Sequence, residues 1–104
     1  MSIGLLLTDL NETTSFLPIA TEAVFTHAWL PIINQANLEW MRLFQTGLAV
    51  EQADIGYILA EIDIFKCLLN PESQYYSLMR QRIALLALQL LRCRDAGFTQ
   101  LYIG

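Results

Sequence analysis

Apolar residues recur at helical spacing along most of the chain. Ile33, Ala36, Trp40, Met41, Phe44 and Leu48 return every three or four positions, with Gln35, Glu39, Arg42 and Thr46 on the opposite side. That pattern predicts an amphipathic helix from Pro31 through Thr46, with Trp40 central in its core stripe. Gly47 closes it, because glycine enters the left-handed C′ conformation without steric cost. A second element runs from Pro71 to about Ala96. Asn70 is placed to cap it, Pro71 suits the first helical position, Glu72 lies in the positive first turn, and Arg92 and Arg94 lie in the last. Gly97 then stops it. Residues 50–69 fit one further helix and 18–30 another, with Pro31 imposing a kink or a corner after Leu30. Near the start, Asp9 with Glu12 resembles a capping box, whereas 3–7 suits an extended segment. Residues 98–103 suit a short strand or a docked tail.

These elements predict an all-α fold, one domain over 1–104 built as a small bundle of about four helices. An N-terminal segment 1–15, compatible with two conformations, and a C-terminal tail 98–104 complete it. An antiparallel hairpin of 50–69 and 71–96 around Asn70-Pro71 would set Glu61 level with Arg80 and Glu51 near Arg92, as ion pairs. Composition agrees: 19 Leu and 10 Ala stand against 2 Val, and helix is expected over at least about 60% of the chain.

The hydrophobic share is 55% and the charged share 15%, against about 25% charged in an ordinary soluble domain. So few charges cannot cover a monomer in the usual way. In 71–96 the stripe Tyr75, Met79, Ile83, Leu86, Leu90 and Cys93 closes a core, yet Leu78, Leu85, Leu88 and Leu91 point in other directions. In 50–69, Ile55, Leu59 and Ile62 likewise lie outside the small-residue ridge of Ala53, Gly56 and Ala60. These seven form a candidate interface, and a second copy of the chain is the available cover. The expected function is therefore a non-enzymatic interaction, scaffold or regulatory module acting as a homodimer, with room for a further protein partner. The alternative is a small-ligand or sensory protein whose surplus apolar surface lines a pocket, with Tyr75, Tyr76, Met79 and Trp40 as candidates.

Charge narrows the classes further. Residues 1–65 carry eight acids against Arg42, while 66–104 carry five bases against Glu72 and Asp95, for a net charge of −4. An acidic protein repels polyanions, which argues against nucleic acid and anionic membrane. The helix-turn-helix outline at 38–46, Gly47 and Val50 onward fails because Glu51, Asp54, Glu61 and Asp63 would face phosphates. Glu51 and Asp54 sit one turn apart, but the Glu-x-x-His partners of a di-metal site are missing, so neither metal nor cofactor is expected. His27 lies among Ala23, Ala28, Trp29 and Leu30 with no nucleophile nearby in sequence, and reads as a satisfied, partly buried histidine. Asn37 interrupts the apolar stripe, where it would fix register or bond a local carbonyl. Cys67 and Cys93 have neither metal nor redox spacing and read as buried, reduced side chains. The first residues lack a basic leader, and no 18-residue uncharged stretch occurs, so a cytoplasmic address is expected.

Overall fold

The computed structural model describes residues 2–104, and it is not all-α. Helix accounts for 54% of the chain and strand for 20%, in the order β1 (Ser2–Thr8), β2 (Thr14–Thr21), α1 (Glu22–Val24), α2 (Leu30–Ala36), α3 (Glu39–Arg42), β3 (Leu48–Ala49), α4 (Ile55–Cys67), α5 (Tyr76–Ala96) and β4 (Gln100–Ile103). The strands form one antiparallel sheet in the order β2-β1-β4-β3.

The hairpin of β1 and β2 replaces the expected start of a helix at Pro18. Asp9 does not cap a helix: its carboxylate accepts the N–H groups of Asn11 and Thr13, both at 2.9 Å, and Glu12 takes a positive φ of 63° to complete the turn. Such local side-chain bonds favour turns over helices. Pro18 lies in the edge strand. Gly4 exchanges both of its backbone bonds with Gly104 of the β4 side, so its pairing with Pro18 requires no proline N–H. The outward Pro18 carbonyl accepts from Arg82 of α5 at 2.7 Å. Ile3, Leu5, Ile19, Leu101 and Ile103 are buried on the inner side of the sheet against the helices. The outer side carries a row of Phe16, Leu6, Tyr102 and Ala49 in register across all four strands. Phe16 is 55% exposed and Tyr102 37%.

Helix begins at Thr21, whose hydroxyl accepts from Val24 N–H at 3.1 Å. From α1 the chain passes through a π-helical segment, Phe25–Trp29, directly into α2. Pro31 therefore neither breaks the rod nor turns a corner. A proline ring collides with the carbonyl four residues back in a regular α-helix, and the wider turn before it, with Leu30 N–H reaching the Phe25 carbonyl, relieves that crowding. The rod ends earlier than the apolar stripe implies. Asn37 adopts the left-handed region (φ 54°), its N–H bonds the Asn34 carbonyl, and Leu38 N–H bonds the Ile33 carbonyl. This is a Schellman closure with buried Leu38 folded onto buried Ile33. Gly47 has a positive φ of 110°, but it leads into β3 and not into a second helix, which removes the helix-turn-helix outline.

The short α3 is held by a distant residue. Glu61 of α4 accepts the N–H groups of Trp40 (3.1 Å) and Met41 (2.9 Å), placing a carboxylate at the positive end of α3. Glu61 thus pairs with backbone and not with Arg80. The only ion pair among the described residues is the exposed Arg94–Asp95 contact at 3.7 Å, so the expected Glu51–Arg92 pair does not form either. Both carboxylates at the start of α4 are engaged locally, Asp54 accepting the Glu51 N–H at 3.0 Å in a capping box. α4 and α5 run antiparallel, with Gln52 bonding the Arg94 carbonyl at 2.7 Å. The eight residues 68–75 connect them, since α5 starts at Tyr76 and not at Pro71.

The core tryptophan is Trp29 and not Trp40. Trp29 is 1% exposed and stacks on Phe25 (5.8 Å) and on Phe65 of α4 (4.9 Å), whereas Trp40 is half-buried beneath exposed Tyr57 at 6.1 Å. Trp29→Ala is expected to cost about 3–5 kcal/mol in denaturant melts and Trp40→Ala less than about 2. A larger loss at Trp40 would contradict the packing described. Glu61→Ala should cost about 1–3 kcal/mol, because two N–H groups lose their acceptor.

Candidate functional site

The largest concavity, about 510 Å³, lies between the α1–α2 rod, the 68–75 connection and the first turn of α5. Its floor is apolar: Ala28 and Ile32 come from the rod, Leu69 from the connection and Met79 from α5. His27 and Gln35 stand on the rod side, facing Gln74, Tyr75 and Tyr76 across the cleft. Local sequence dictates the far wall. Asn70 accepts the Glu72 N–H (3.0 Å) and Ser73 accepts the Tyr75 N–H (3.2 Å), so the connection coils into turns that present Tyr75 and Tyr76 at the start of α5. The near wall comes from the π-helical segment, which holds Trp29 inward and leaves His27 exposed. No carboxylate lines the cleft, and its volume lies within the range of small-molecule sites.

Of the four residues expected to form a pocket, Tyr75, Tyr76 and Met79 line this cleft. Trp40 does not, being stacked on Tyr57. Of the seven expected to form an interface, Leu78, Leu85, Leu88 and Leu91 are 37–42% exposed along α5. Ile55 and Ile62 are fully buried and Leu59 half-buried, so the α4 half of that surface belongs to the core. Packing of α4 against α5, α3 and α2 covers these residues within the one chain.

His27 is exposed rather than packed among its apolar sequence neighbours. The fold brings Ser73 to the same cleft, a residue 46 positions away that sequence proximity does not reveal. No group of three or more His, Cys, Asp or Glu side chains converges among the described residues. Asn37 ends a helix and its amide oxygen accepts from Arg42 (3.3 Å). No helix among the described residues is long and apolar enough to cross a membrane. Comparisons with protein-family models, curated proteins and solved structures find no match to this chain.

The cysteines differ from their expected equivalence. Cys93 is buried, and burial pushes its thiol pKa up. Cys67 is exposed at the end of α4. Because the thiolate is the reacting form, Cys67 should alkylate in the native protein while Cys93 reacts only on unfolding. Mass spectrometry should therefore count one added group without denaturant and two with it. Two groups added in native buffer would place Cys93 outside the core.

Proposed function

We propose that this chain is a non-enzymatic protein–protein interaction module that pairs with a second copy of itself. The observation that carries the reading is the run of Leu78, Leu85, Leu88 and Leu91, four large apolar side chains left substantially exposed on one helix. Single exposed leucines are ordinary on a monomer, but four on one helix make up an apolar surface of the kind a contact buries. The outer sheet face adds to it, since the row of Phe16, Leu6, Tyr102 and Ala49 includes no charge. Contact through the sheet row would desolvate apolar groups without burying an unpaired ion.

A second reading, a small-ligand-binding protein, draws on the cleft between the rod and α5, whose apolar floor and uncharged rim suit a small molecule.

Sedimentation of the wild-type chain should give a dimer. Leu85→Glu and Leu88→Glu should each yield monomer, because each replaces an apolar side chain in the contact with a carboxylate that must be desolvated, while Gln35→Glu should leave the mass unchanged. If Phe16→Glu alone dissociates the dimer, the contact lies on the sheet. A wild-type monomer at every concentration would remove the pairing altogether.

A further inference from the structure

A second hollow of about 300 Å³ adjoins the cleft and shares two of its lining residues, Leu69 and Tyr76. Its walls add Lys66 from the end of α4 and Arg80 from the second turn of α5, over a floor of Ile83 and Ala84. Side by side across Leu69 and Tyr76, the two hollows make a groove with an aromatic part and a cationic end. Three features of that end stand out. The chain carries a net charge of −4, yet no carboxylate lines either hollow. Lys66 and Arg80 make no ion pair among the described residues, where the sole pair is Arg94–Asp95. Only six Lys and Arg residues exist in the whole chain, and two of them flank this one hollow.

The geometry points to a binding site for a small aryl carboxylate. The flat apolar body would lie in the larger hollow over Ile32 and Met79, beside the rings of His27, Tyr75 and Tyr76, and the carboxylate would sit between Lys66 and Arg80. A guanidinium and an ammonium are the donors that suit a carboxylate, and aromatic rings with a thioether suit a planar body. A longer polyanion does not fit the same description, because the rest of the acidic surface repels it. The inference rests on the small-ligand reading of the cleft and adds the chemical class of the ligand.

Cinnamate and its neutral analogue cinnamyl alcohol are suitable probes, followed by amide nitrogen–proton correlation spectra of the full chain. Cinnamate at millimolar concentration should shift the amides around Lys66, Leu69, Tyr76 and Arg80 and those of His27, Ala28, Ile32 and Gln35, and should bind about tenfold more tightly than the alcohol. Lys66→Gln and Arg80→Gln, both at exposed positions, should each abolish most of that preference while leaving binding of the alcohol unchanged. Equal binding of acid and alcohol would overturn the anion site and leave the cleft itself standing. Shifts centred elsewhere, equally strong shifts from inorganic phosphate, or no shift from either aryl probe would overturn the proposal and, in the last case, the small-ligand reading with it.

Discussion

The indole of Trp29, sandwiched between Phe25 on its own rod and Phe65 on α4, fixes the arrangement of the remaining helices. Each such ring removes on the order of 150–250 Å² from water, so the stack sets where the rod can lie against α4. The rod's position in turn sets one wall of the groove and the direction from which Leu38 enters the core. The stack depends on local backbone geometry as well as on side-chain size. The π-helical turn that accommodates Pro31 is the same turn that carries Phe25 and Trp29 on one side and His27 on the other.

Charge serves a different purpose here from the one its distribution along the sequence implies. Two oppositely charged halves invite a picture of helix-to-helix ion pairs, but exposed pairs contribute little, on the order of 0–1 kcal/mol. The carboxylates instead hold backbone: Glu61 holds α3, Asp9 shapes the β1–β2 turn, and Asp54 with Glu51 starts α4. A carboxylate facing uncompensated N–H groups at a helix end or turn gains more than one facing a solvated guanidinium. Among the described residues only Arg94 pairs with a carboxylate, and Lys66 and Arg80 give one end of the groove its character.

Legibility in the sequence followed the locality of the signal. The end of α5 at Gly97, which adopts a positive φ of 82°, and the bodies of α4 and α5 could be read from caps and spacing. The sheet could not, for reasons visible in particular residues. Alternation in β1 is masked because Leu6 on the outer face is as apolar as Leu5 and Leu7 on the inner one, so a strand with two apolar faces resembles a Leu-rich helix. In β2, Pro18 suits a helix start and an edge strand equally until its neighbour across the sheet is known. Asn37 looked like one polar residue within a stripe, yet its tolerance of the left-handed region made it a helix end. The groove was legible only where it is local: Tyr75, Tyr76, Met79 and Arg80 follow one another around the first turns of α5, while His27, Gln35 and Lys66 meet them only through tertiary packing.

The edge formed by β2 limits how this molecule can assemble. An open strand ordinarily offers alternating donors and acceptors to any passing chain, and edge-to-edge growth into long sheets begins there. Along this edge, Pro18 supplies no donor and its carbonyl is already occupied by Arg82, while the opposite edge, β3, is only two residues long. Strand-by-strand extension is thereby interrupted at both margins. A chain adding to the ladder along β2 is stopped at Pro18, whereas a neighbour that approaches broadside meets the apolar outer row unhindered, so this shape favours docking over edge-to-edge growth.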